Sequence, residues 1–224
     1  IFKSINSRNL DRSFLLKLKY KKYFRKSSIK KQELGSLFLE EIQKKNPKSF
    51  LEIGIFHGVT ARNLCELMYK NHGKKFKYIG IDLFDQKSTY EDEVEPEFTF
   101  NNPLKNFYFK YIKRQNPYSE IAVNDLLMKF KENIKIIKGD TNKILKELNL
   151  QNIEYIFIDG GHNYNTVKND LFYSKKFIAE NGVILCDDYD LSYAPGVKQA
   201  IDEFVKENNC KFELILDRFA KIEL

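Results

Sequence analysis

Two short apolar runs end in acids. Ile156-Phe157-Ile158 leads into Asp159-Gly160-Gly161-His162, and Val183-Ile184-Leu185-Cys186 leads into Asp187-Asp188-Tyr189. If the runs are neighbouring strands, Asp159, Asp187 and Asp188 emerge together at their carboxyl ends. With no obvious basic partner they repel one another unless a cation neutralises them. All-oxygen ligands favour a hard ion, magnesium first, with calcium and manganese also compatible. The plainer alternative is that one Asp caps the following helix and the others are solvated. His162 lies three residues past Asp159 in a glycine-loosened turn. An imidazole with an ordinary pKa of ~6.5 accepts a hydroxyl proton near neutral pH. His57 and His72 lack this chemical company and read as structural or solvent-facing.

A second group of residues fits a nucleoside. Leu51-Glu52-Ile53-Gly54-Ile55-Phe56-His57-Gly58 reads as a strand, a turn and a helix start. Gly54 lets the chain turn sharply and admits a ligand close to the backbone, and Gly58 permits tight packing at the helix. The spacing is not the dinucleotide G-x-G-x-x-G, which disfavours a nicotinamide cofactor. Glu52 is placed to pair with a cationic amino group. Tyr78-Ile79-Gly80-Ile81-Asp82 ends a second strand in an acid suited to both ribose hydroxyls, or else to a helix N-cap. After a third strand, Gly139-Asp140-Thr141 offers Asp140 to an adenine amino group and Thr141 as a helix cap.

These residues need a sheet to align them. Apolar runs at Ser49–Ile53, Phe76–Ile81, Ile134–Ile137, Ile153–Ile158 and Val183–Cys186 alternate with helical stretches at Thr60–Tyr69, Asn142–Leu148, Tyr164–Ala179 and Val197–Glu207. Phe212–Leu216 and Phe219–Leu224 suit a closing hairpin. The alternation predicts an α/β, doubly wound, Rossmann-like and mostly parallel sheet, with ligands beyond the carboxyl ends of its strands. Residues 1–48 form a basic N-terminal segment that is expected to be helical, its amphipathic part running from Ser28 to Lys45 before Pro47. Residues 49–224 form the main domain, interrupted at about 86–131. This insertion begins acidic (Glu91, Asp92, Glu93, Glu95) and turns aromatic and basic (Phe98, Phe100, Phe107, Tyr108, Phe109, Tyr111, Lys113, Arg114), as a lid or binding loop would. Lys113 and Arg114 suit a substrate phosphate, or equally the solvent.

The chain has 224 residues, 42% of them hydrophobic, with 19 Phe, 13 Tyr and no Trp, enough for one buried core. Its charge of +7 is concentrated near the start, where Lys17, Lys19, Lys21, Lys22, Arg25, Lys26, Lys30 and Lys31 cluster. Such a run is more often a solvated face than a binding site. Cys65, Cys186 and Cys210 have neither disulfide nor zinc spacing, which suits a reducing compartment and makes the cytoplasm the default location. No apolar stretch reaches the ~18 residues of a membrane span.

Taken together, the strand-end acids resemble the class I methyltransferase fold, whose first strand carries E/D-x-G-x-x-x-G. The resemblance covers residues 49–224 and implies seven strands with an antiparallel closing strand. It also implies S-adenosylmethionine as cofactor, with ribose on Asp82, adenine on Asp140, and Glu52, Gly54, Gly58, Thr141 and Asp159 around it. Asp159-Gly-Gly-His162, Asp187-Asp188-Tyr189 and Pro195–Phe204 further resemble the macrocin-type and mycinamicin-type O-methyltransferases of antibiotic sugars. That resemblance implies magnesium on Asp159, Asp187 and Asp188, His162 as general base, and a small-molecule or nucleotide-linked sugar as substrate. Catechol-type relatives place Lys at the position of His162 and Asn at that of Asp188. Rival readings are a methyltransferase for a phenolic or other small diol and a non-catalytic cofactor-binding module. A nucleic-acid methyltransferase is disfavoured, since neither Asn-Pro-Pro-Tyr nor Pro-Cys occurs. A homo-oligomer is compatible with the N-terminal helices.

Overall fold

A computed structural model describes residues 18–90 and 100–224. Its strands are β1 (Ser49–Ile53), β2 (Lys77–Asp82), β3 (Ile134–Lys138), β4 (Ile153–Ile158), β5 (Ile178–Cys186), β6 (Lys211–Ile215) and β7 (Phe219–Glu223). They form one sheet in the order β3-β2-β1-β4-β5-β7-β6. The first five are parallel, and the β6–β7 hairpin runs antiparallel against β5. The predicted seven-stranded, doubly wound sheet with its antiparallel closure is what forms.

Strand periodicity explains the two layers of helix. In β4, Tyr155 and Phe157 join a cluster with Phe38 and Ile42 of α1 (Gln32–Lys45) and Leu64 and Met68 of α2 (Val59–His72). The alternate residues Ile156 and Ile158 face Val167 and Leu171 of α6 (Tyr164–Phe177) and Ile201 of α7 (Pro195–Asn208). A strand with period two and apolar residues on both faces has to be covered twice.

Residues 18–48 belong to the first of these cores. Tyr20 and Ile29 are buried in the same cluster as Phe50 and Leu64. Among the described residues of this basic segment, the expected helix is confined to α1, and residues 1–17 lie outside them. Residues 18–31 are turns, because Tyr23 (φ 47°) and Phe24 (φ 58°) are both left-handed, a conformation that ends helices. Asn46 (φ 51°) then terminates α1 just before Pro47. The helix expected over 142–148 is a short α5 (Thr141–Ile144) tightening into a 3-10 turn at Leu145–Glu147.

Within the insertion, α3 (Pro103–Phe107) continues into a π-helical turn at Tyr108–Lys113, followed by α4 (Glu120–Leu127). Ser119 caps α4, and its Val123 and Leu127 are buried in the α1–α2 core. Lys17 and the insertion's Glu91, Asp92, Glu93, Glu95 and Phe98 lie outside the described residues. Among the described residues, no helix is long and apolar enough to cross a membrane.

Candidate active site

The β1 turn is held by its glycine and by Asp82. Gly54 has φ 91°, and a Cβ there would lie 2.0 Å from the Asp159 carbonyl oxygen, so the β1 and β4 ends approach only because no side chain intervenes. Gly58 (φ 74°) is the N-cap residue of α2. Asp82 does not cap a helix. Its Oδ2 accepts the Ile55 and Phe56 backbone N–H at 2.7 and 2.8 Å. Its Oδ1 accepts the Phe84 N–H at 2.8 Å and the Tyr118 hydroxyl at 2.7 Å. A carboxylate offers about four lone-pair sites, so the buried Asp82 is saturated by its own chain.

Asp140, rather than Thr141, is the cap of α5. Its backbone is extended (φ −73°, ψ 120°) and one oxygen accepts the Asn142 N–H at 2.9 Å, which makes Thr141 the first helical residue. The other oxygen accepts the Thr89 N–H at 2.7 Å and the Thr89 hydroxyl. Burial raises the Asp140 carboxyl, but these bonds from Thr89 and Asn142 outweigh it and hold the group below its ordinary value.

Glu52 is set apart from this group. It is fully buried, one oxygen accepts the Tyr78 hydroxyl at 2.6 Å, and the other has no hydrogen-bond partner. Burial pushes its pKa up to about 8 from 4.5. Between those values the folded protein keeps a proton that the unfolded chain has released, so stability falls as pH rises, by up to about 1.4 kcal/mol per pH unit. Glu52→Gln in the cofactor-free protein is therefore expected to gain stability relative to wild type between pH 5 and pH 8. Urea melts at both pH values measure it, and parallel profiles for the two proteins would show that Glu52 is not held neutral.

The three acids of the second group do converge. The Asp159 N–H donates to the Ile53 carbonyl at 2.8 Å and the Asp187 N–H to the Ile158 carbonyl at 2.9 Å, extending the β1–β4–β5 register past the strand ends. One oxygen from each of Asp159, Asp187 and Asp188 then lies within 4.8 Å of the others. His162 Nε2 is 3.1 Å from Asp188 Oδ2, and its ring meets Tyr193 edge-on at 5.8 Å. His57, by contrast, is buried, and burial together with Arg25 pushes its pKa down to about 3, in keeping with a structural role.

The expectation that these acids lack a basic partner is corrected by Arg218. Its Nη2 donates to Asp187 Oδ2 at 2.6 Å, its Nε binds the other oxygen, and Nη2 is 3.1 Å from Asp188 Oδ1. Sequence reasoning misses the residue because it lies on the β6–β7 turn, yet the register carries a signal. Cys186 pairs with Ala220 in antiparallel sense, so continuing by two residues brings Arg218 opposite Asp188. Ser28 is missed as well; its hydroxyl donates to Asp159 at 2.7 Å from the N-terminal segment.

With all three carboxylates ionised, one guanidinium leaves two formal negative charges, which a divalent cation would balance. Burial, and then the charges of Asp187 and Asp188, hold the Asp159 carboxyl well above its usual range. The cluster thus favours added positive charge, and its all-oxygen donors fit magnesium. Arg218 already engages both oxygens of Asp187, so an ion must share that carboxylate with it. Space at the cluster is small, ≈ 10 Å³; a separate cavity of ≈ 550 Å³, which shares no lining residue with it, is bounded by Tyr189, Asp190, Ser192, Lys198, Gln199 and Asp202. Neither basic residue suggested for a substrate phosphate joins the cluster: Lys113 pairs with Asp125 at 3.0 Å, and Arg114 is exposed.

A family model described as a methyltransferase domain matches residues 51–189, from the cradle to the acid cluster. The chain belongs to this methyltransferase domain family. The uncharacterized protein R132 of Acanthamoeba polyphaga mimivirus is 32% identical over 180 residues, 76% of this chain and 68% of that protein. Among solved structures, the O-methyltransferase NovP is similar with a TM-score of 0.62 at 15% identity, covering 85% of this chain and 81% of that one. CalS11, a TDP-rhamnose 3'-O-methyltransferase of calicheamicin biosynthesis, gives 0.59 at 14% identity, covering 87% and 81%. SAH-bound PaMTH1 of Podospora anserina gives 0.55 at 18%, covering 86% and 78%. The methyltransferase domain thus has the class I fold, and the residues matched by the family model include Asp82, Asp140 and Asp159.

Proposed function

We propose that the protein is an S-adenosylmethionine-dependent O-methyltransferase acting on a hydroxyl of a sugar or glycoconjugate. In this reading Asp159, Asp187 and Asp188 hold magnesium and His162 is the general base. The observation that carries it is the convergence of three carboxylate oxygens within 4.8 Å, with His162 bonded to one of those acids at 3.1 Å. When bound, the ion's chemistry is to acidify an acceptor hydroxyl. Asp188 holds His162 Nε2 at 3.1 Å, and in this reading the imidazole takes the hydroxyl proton while the oxygen attacks the sulfonium methyl and S-adenosylhomocysteine leaves. CalS11, whose substrate is a nucleotide-linked sugar, shares the fold.

The cofactor's ribose falls to Asp82 and its adenine to Asp140. Because Asp82 is saturated, ribose hydroxyls must displace a donor. Three of the four are backbone N–H groups of adjoining turns, whereas the fourth is the Tyr118 side chain from the insertion. Tyr118→Phe is therefore expected to tighten S-adenosylmethionine binding a few-fold, while Asp82→Ala weakens it by about tenfold or more, the value of a lost charged hydrogen bond. Calorimetry on folded variants measures both, and unchanged affinity in Asp82→Ala would remove the ribose assignment.

The acceptor is tested by following labelled methyl transfer from S-adenosylmethionine to a panel of nucleotide sugars and to catechol, with magnesium present. A methylated sugar is expected. Transfer to catechol alone would favour the phenolic reading, and cofactor binding without transfer to any hydroxyl would favour a non-catalytic module.

A further inference from the structure

The insertion turns an apolar stripe toward solvent. Leu104, Phe107, Tyr111 and Ile112, spaced along α3 and its π-helical continuation, are 74, 55, 56 and 63% exposed, while Phe109 on the opposite side is 5% exposed. The Phe107 and Tyr111 rings lie 5.1 Å apart, so the stripe is contiguous. It also continues onto the N-terminal segment. Phe24, 49% exposed, meets Tyr108 edge-on at 5.8 Å, and Lys105 Nζ sits 4.8 Å from the Phe24 ring centre.

The two stretches that form this stripe are basic, and the insertion's acids, Glu91, Asp92, Glu93 and Glu95, precede the second in sequence. Residues 18–31 carry seven basic side chains and residues 100–119 carry four, and neither stretch contains an acid. Two of the eleven are engaged elsewhere: Arg25 is buried on the carbonyls of His57, Pro117 and Ala122, and Lys113 pairs with Asp125. Lys19, Lys21, Lys22, Lys30, Lys110 and Arg114 remain exposed. A helix with bulky apolar residues on its outer side and lysines along its flanks has the composition of an interfacial element. The most exposed members, Leu104 and Ile112, are aliphatic. They suit hydrocarbon, whereas single-stranded nucleic acid is bound by aromatic stacking.

We propose that α3, its π-helical continuation and the Phe24 turn form a docking surface for an anionic lipid bilayer, with the apolar stripe seated at the headgroup boundary and the lysines on acidic headgroups. The surface adjoins the candidate site, because the same N-terminal segment reaches the His57 carbonyl through Arg25 and Asp159 through Ser28. The inference rests on exposure and charge and does not depend on the reaction proposed above.

The test is co-sedimentation of the full chain with vesicles of phosphatidylcholine alone and of phosphatidylcholine with about one third phosphatidylserine. Binding is expected to be tenfold or more stronger on the acidic vesicles and to weaken with added salt. The combined variant Leu104→Ser, Phe107→Ser and Ile112→Ser changes only exposed side chains, and its melting temperature is to be checked against wild type. It is expected to lose at least tenfold in vesicle binding. Wild type that leaves both vesicle types in the supernatant would overturn the proposal, as would a folded triple variant that binds them equally well. Tight binding of a labelled single-stranded oligonucleotide without vesicle binding would assign the surface to nucleic acid. A dimer in sedimentation velocity that the triple variant abolishes, again without vesicle binding, would assign it to a second copy of this chain.

Discussion

Replacing His162 by Ala is expected to lower turnover by about 10²–10⁴-fold, the usual contribution of a positioned general base, with S-adenosylmethionine still bound. The imidazole is held by Asp188 at 3.1 Å and by edge-on contact with Tyr193, so its position does not depend on the acceptor. In wild type the rate should fall as acid protonates the base, and in His162→Ala this acid limb should disappear. His162→Gln retains a hydrogen-bonding group without a basic nitrogen and should be nearly as slow. Melting curves separate chemistry from structure: a side chain that merely orders the Gly160–Gly161 turn would lose activity only in proportion to stability. A folded His162→Ala protein with near-normal turnover and an unchanged acid limb would assign the base elsewhere.

Removing divalent metal is expected to abolish turnover, with calorimetric S-adenosylmethionine affinity nearly unchanged, because the ribose and adenine acids lie apart from the acid cluster. A second readout does not require activity. Asp159 and Asp187 are both raised, first by burial and then by neighbouring charge, including that of Asp188. An ion that binds only the folded cluster stabilises the fold by mass action. Magnesium should therefore raise the melting temperature of the chelated protein, and Asp159→Asn should blunt that rise. Full activity after exhaustive chelation, with no metal by elemental analysis, would leave the acids paired with Arg218 in a purely structural role.

Much of this molecule is set by local rules. Apolar runs of five or six residues with period two predict strands buried on both faces, and Tyr155, Ile156, Phe157 and Ile158 alternate between two helical layers as that pattern requires. Gly54 is demanded by a positive φ and a carbonyl 2.0 Å from any Cβ. Acids at the ends of adjacent parallel strands must converge, because the register that aligns the strands also aligns the residues just beyond their carboxyl ends. The tertiary structure alone decided what meets those acids. Ser28 reaches Asp159 across 131 positions, Tyr118 reaches Asp82 across 36, and Arg218 reaches Asp187 across 31. The first two pairs are not neighbours along any strand or helix, so no periodicity announces them, and Arg218 comes opposite the acids only once β7 has paired with β5. The same holds for the N-terminal segment. Its basic composition suggests a solvated helix, but burying Tyr20 against the α2 layer requires two left-handed residues, Tyr23 and Phe24, and tertiary packing overrides local helix propensity there. Sequence determined where the acids stand, whereas the fold determined their partners, since a hydrogen bond between distant segments exists only after the chain has closed around it.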